Sequence, residues 1–69
     1  MLDEQVFNLE IRKLLKRFGV AAQREVEKVV RSGIESGKLS GDEKLPASIT
    51  LAIDDLELRF RIEDEIALS

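Results

Sequence analysis

An α+β fold of two layers is what this sequence predicts: an αα-hairpin packed on an antiparallel β-hairpin or a three-strand meander, in the order ααββ or ααβββ. Three observations predict it. Apolar residues recur at helical spacing from Phe7 to Ile34. The spacing changes to two in the C-terminal third, from Ile49 to Ile62. Between these halves, "GKLSGDEKLPAS" brings two Gly and a Pro together with mixed charge, which is loop chemistry.

The first helix is expected over 3–18. Phe7, Ile11, Leu14, Leu15 and Phe18 form its apolar stripe, and Arg12, Lys13, Lys16 and Arg17 fall on the other side. Asp3 and Glu4 at the start and Lys16 and Arg17 at the end suit the helix dipole. Gly19 offers a left-handed exit. A second helix is expected over 21–36, with Ala22, Val26, Val29, Val30 and Ile34 inward and Gly37 as its terminator. So short a connection forces the two helices antiparallel.

Residues 37–47 read as a loop, with Leu39 and Leu45 turned inward. Strands are expected over 48–54 and 56–63. A two-residue type I′ turn at Asp54-Asp55 sets Ile53 opposite Leu56, Leu51 opposite Leu58 and Ile49 opposite Phe60. The outward pairs are then Ala52 with Glu57, Thr50 with Arg59 and Ser48 with Arg61. Every inward pair is apolar, and a slip of one residue would reverse both faces. "EDE" at 63–65 suggests a second turn, and 65–68 a third strand carrying Ile66 and Leu68.

Composition narrows the function. The chain has 69 residues, enough for one domain, with 43% hydrophobic residues and a net charge of -3, which favours a folded chain. His, Cys, Trp and Tyr are absent. Without His or Cys the usual general bases, thiol nucleophiles and transition-metal ligands are missing, so no enzyme activity, cofactor, metal site or small-molecule substrate is expected. The acidic turns Asp54-Asp55 and Glu63-Asp64-Glu65 lack the ligand spacing and Gly of a calcium loop. No apolar run approaches the ~18 residues of a membrane span. The N-terminus carries no signal-peptide pattern, and a soluble cytoplasmic protein is expected.

Charge is unevenly distributed. Residues 1–10 carry -3, residues 11–31 carry +5 and residues 32–69 carry -5. The candidate basic patch is Arg12, Lys13, Lys16, Arg17, Arg24, Lys28 and Arg31. The stretch "KRFGVAAQREVEKVVRSG" invites comparison with a DNA-reading helix-turn-helix. There the next buried residue lies about five after the apolar turn residue; here Val26 follows Val20 by six, and Glu25 takes the buried place. The misfit and the acidic net charge argue against nucleic acid, which is kept as the alternative function. "IESGKLSGDEKLPAS" resembles the opening of GntR-type winged-helix regulators, but strands follow it here instead of helices, and turn chemistry accounts for the likeness.

A broader resemblance covers nearly the whole chain. Val6-Phe7-Asn8, Arg12-Lys13, Gly19-Val20, Gln23-Arg24-Glu25, Ser36-Gly37, Leu45-Pro46 and the final Glu65, Ile66 and Leu68 resemble a family of small bacterial proteins carried as a domain of unknown function. The resemblance implies membership and no activity. That family's pattern has a hydroxyl residue where Ala22 stands and Gly where Asp55 and Asp64 stand.

A non-catalytic protein-interaction module is therefore expected, with a protein partner or a second copy as its target. Leu2, Val6 and Leu9 make a second apolar stripe on the first helix, opposite the main one, and form the candidate interface of a homodimer.

Overall fold

The computed structural model describes residues 1–69 and contains one helix where the sequence suggested two. Helix α1 spans Glu4–Glu35, strand β1 Lys44–Ile53 and strand β2 Leu58–Ala67, with a short 3-10 turn at Asp54–Leu56 between the strands. The α+β class holds. The αα-hairpin and the third strand do not form.

Helix α1 begins at Asp3, whose Oδ1 accepts from the N–H groups of Gln5 (3.1 Å) and Val6 (3.2 Å). It runs through Gly19 without a break, for about 48 Å at 1.5 Å per residue. Two features favour continuity. Val20, Ala21 and Ala22 include no Ser, Thr, Asp or Asn to cap a new helix. The apolar stripe also continues across the supposed turn. Phe7, Phe18 and Val29 are spaced by eleven, as are Ile11, Ala22 and Gly33, and Leu15 and Val26. An eleven-residue spacing is close to the natural pitch, so a straight helix keeps all of these on one side. Gly19 costs about 1 kcal/mol against Ala in a helix interior, too little to offset the loss of that alignment. Gln23 adds a hydrogen bond to Glu27 one turn on, at 3.0 Å.

The helix ends where expected. Ser36 is the C-cap and Gly37 takes the left-handed conformation, φ 80°. The Gly37 N–H donates to the Ile34 carbonyl (3.1 Å) and the Leu39 N–H to the Gly33 carbonyl (3.0 Å). The chain then folds back so closely that a Cβ at Gly33 would lie 2.8 Å from Leu39 Cδ1. Leu39 is half-buried there, as anticipated.

Both strands run further than expected at the open end of the hairpin and stop short at the turn. Leu45 to Ala47, read as loop, belong to β1 and pair with Ile66 to Asp64. Pro46 resembles loop chemistry, but an edge strand accepts Pro, and β1 has a free edge. Glu63-Asp64-Glu65 make no turn. Glu63 and Glu65 lie opposite Ser48 and Pro46 on the polar face, so the period of two passes straight through them. Asp64, on the apolar face, stands opposite small Ala47 and accepts from the Glu65 N–H at 2.7 Å.

The turn between the strands is also corrected. Four residues connect them, and Ile53 pairs with Leu58, Leu51 with Phe60 and Ile49 with Ile62. The expected register is shifted by two, which leaves the paired residues on their predicted faces but moves Leu56, expected opposite Ile53, out of the strand and into the turn, where it is 72% exposed. Outward, Ala52, Thr50 and Ser48 meet Arg59, Arg61 and Glu63. The only left-handed non-glycine residue is Glu57, φ 51°, whose N–H donates to the Asp54 carbonyl at 3.1 Å. Asp54 and Asp55 are not left-handed.

One helix thus lies along one face of a two-stranded sheet. Ala22, Val30, Gly33, Leu39, Leu45, Ala47 and Leu51 are half-buried and mark the seam, but none of the 69 residues is buried. The molecule is a rod of 54 × 21 × 18 Å. Its radius of gyration is 16.3 Å, against about 11 Å for a compact chain of this length. It exposes 6644 Å² at 7.8 kDa, where a compact monomer would expose about 4,400 Å².

Candidate interaction surface

The apolar stripe of α1 and the apolar face of the hairpin do not close on each other. Between them runs a cleft of about 390 Å³, walled by Leu14, Leu15 and Phe18 on the helix and by Ile49, Thr50, Leu51, Phe60 and Ile62 on the sheet. Each wall follows from local periodicity. Leu14, Leu15 and Phe18 fall within one helical turn of a single side, and Ile49, Leu51, Phe60 and Ile62 form two adjacent cross-strand pairs on one sheet face. No charged residue lines the cleft. Its walls stay largely in solvent: Phe18 is 48% exposed, Ile49 54%, Phe60 54% and Ile62 53%.

The opposite side of α1 carries basic residues. Continuity of α1 brings Lys13, Lys16, Arg17 and Arg24 to one shallow depression with Val20 and Ala21. At helical spacing Lys28 and Arg31 extend the same side, away from the apolar stripe. The two halves of the basic patch would have lain on separate antiparallel helices in the predicted fold; one helix makes them a single row. Arg12 is apart, in another depression with Glu4, Gln5, Asn8 and Leu9. Glu10 lies 3.8 Å from the Lys13 Nζ, an exposed pair. On the outer sheet face Arg61 pairs with Glu63 at 3.1 Å.

Leu2, Val6 and Leu9 are all well exposed. Val6 and Leu9 share the side of α1 that carries the basic row, and Leu2 lies outside the helix, one residue before its N-cap Asp3. No group of three or more His, Cys, Asp or Glu residues is placed to hold a metal ion. No helix is long and apolar enough to cross a membrane.

One carboxylate is distinctive. Glu43 folds onto its own loop and accepts from the backbone N–H groups of Ser40 and Gly41, each at 2.9 Å, and from the Ser40 hydroxyl at 3.3 Å. The Ser40 N–H, followed by that of Gly41, holds its carboxyl below the ordinary glutamate range. The Glu43 carbonyl accepts from Leu68 at 3.0 Å, so this loop also fastens the end of the chain. Its acceptor oxygens are occupied internally, and it is a structural clasp.

Seven of the eight cleft residues are legible as apolar from periodicity, Thr50 being the exception, and the two packed layers that the sequence predicts would close them into a core. The sequence signal for an open one was the eleven-residue spacing, which joins two expected helices into one and leaves the sheet half covered.

The fold and its surface define a small α+β chain whose principal feature is an uncharged apolar cleft between a long helix and a β-hairpin. The chain belongs to the family of unknown function DUF6494, whose model matches residues 2–69. Neither a curated protein nor a solved structure matches it.

Proposed function

We propose that the chain is a non-catalytic protein-interaction module whose apolar core is completed by association with another polypeptide. The observation that supports this most directly is that no residue is buried while apolar side chains line both walls of an open cleft. Burial of apolar area is the main favourable contribution to folding, and ordering each residue costs on the order of 1–2 kcal/mol. A 69-residue chain with no buried side chain lacks the means to offset that cost alone. Association supplies the missing burial. Wherever sedimentation returns the mass of one chain, that chain is expected to melt without a cooperative transition and to bind a hydrophobic dye such as ANS. A cooperative, dye-silent single chain would contradict the reading.

A second reading, nucleic-acid binding, is favoured by one observation: the unbroken helix sets Lys13, Arg17, Arg24, Lys28 and Arg31 along one side. The net charge of -3 and the neighbouring Glu10 and Glu27 oppose it. Phosphate contacts dominate such affinity, and non-specific binding is weaker than about 1 μM at physiological salt. Gel shifts at ~150 mM salt are expected to show nothing tighter. Sub-micromolar binding that is lost in an Arg24/Lys28/Arg31 triple Ala variant would replace the first reading with this one.

A further inference from the structure

We propose that the polypeptide which completes the core is a second copy of this chain, seated cleft to cleft about a two-fold axis. This rests on the reading of the chain as a module completed by association. Three observations carry it.

The first is area. The chain exposes 6644 Å², about 2,200 Å² more than a compact monomer of its mass. Two chains together carry an excess of about 4,500 Å², and obligate homodimer interfaces bury about 2,000–5,000 Å² in total. The excess is thus of the size one self-association removes. A small ligand filling the ≈390 Å³ cleft would cover its eight lining residues and leave most of that excess in place.

The second is chemistry. A two-fold interface sets a patch against itself, so the patch has to be compatible with its own copy. The cleft walls are apolar apart from Thr50 and carry no charge. Nothing in them repels an identical wall, and nothing in them selects a partner of particular charge.

The third is the placement of charge. The basic row Lys13, Arg17, Arg24, Lys28 and Arg31 lies on the other side of α1. Cleft-to-cleft packing keeps the two rows apart, and it turns both basic sides and both polar sheet faces to water. Val6 and Leu9 lie on the basic side, with Leu2 just ahead of the helix, and this interface leaves them in solvent.

The chain has no Trp, so a single Trp reports one face without removing apolar surface. The full chain and its Phe18→Trp, Phe60→Trp and Leu9→Trp variants are sedimented at ~100 μM, far above the dissociation constants of specific assemblies. Emission and thermal melting are followed on dilution. The expected result is twice the single-chain mass, with blue-shifted emission from Phe18→Trp and Phe60→Trp that moves to the red as the mass halves. Leu9→Trp is expected to stay solvent-like throughout. A two-chain mass with Leu9→Trp as the blue-shifted probe overturns the proposed face. A single-chain mass without a cooperative melt overturns the second copy and leaves association with a different polypeptide standing. A single-chain mass with a cooperative melt overturns both.

Discussion

Glu57 is the residue that the turn strains. It holds φ 51° at the end of the 3-10 turn, in the left-handed region that costs a non-glycine residue on the order of 1 kcal/mol. Glu57→Gly is therefore expected to raise stability by about that amount. Asp55→Gly is expected to do the reverse by about 0.5–1 kcal/mol, because Asp55 has no such strain and Gly adds only unfolded-state freedom. Melting the two variants side by side checks this, and a stabilising Asp55→Gly would restore the two-residue turn. Glu43 gives the fold a pH dependence. Its carboxyl is held low in the fold by the Ser40 and Gly41 N–H groups, so its contribution is present above the ordinary glutamate pKa of about 4.3. The contribution is lost as pH falls through the lowered folded value. Glu43→Gln is accordingly expected to melt below wild type at pH 7, with the gap closing in acid. A gap that stayed constant from pH 7 to pH 3 would mean that the clasp does not act through its charge.

Helix α1 is the element on which the rest depends. A Cβ built on Gly19 meets nothing within 4 Å, and its φ is not positive. Gly19→Ala should then stabilise by up to about 1 kcal/mol, roughly 4–8 °C in a domain of this size. In the two-helix arrangement Gly19 would be left-handed and Ala would cost a similar amount, so the sign of the change separates the two folds. Gly19 accounts for the difference in helix count: Gly after an apolar stripe is a common helix terminator, and only the continuation of the stripe from Phe7 to Val29 marks a helix that passes through it. Face assignments in the strands were legible throughout, because a period of two survives any even shift of register. The register itself was not, since two-residue and four-residue turns both satisfy that period. Pro46 and the acidic run at 63–65 hid the ends of the strands by resembling loop and turn chemistry. The apolar residues of the cleft were legible as a set. Their exposure was not, because periodicity reports which side of an element is apolar and says nothing of how much covers it.

At the scale of the molecule, the governing fact is the ratio of surface to mass. A 54 Å rod with no buried residue has the secondary structure of a domain and the exposed area of a part. In the proposed dimer folding and association are one reaction, and the concentration dependence of the melting temperature reads this out. For a dimer that dissociates as it unfolds, each hundredfold rise in concentration adds about 2.7 kcal/mol to stability by mass action. For an assembly of two such chains that corresponds to roughly 5–10 °C. Melting followed by circular dichroism from ~1 to ~100 μM is predicted to show the transition climbing by that amount. A cooperative transition at the same temperature across the whole range would show that one chain folds alone and that no second copy is needed.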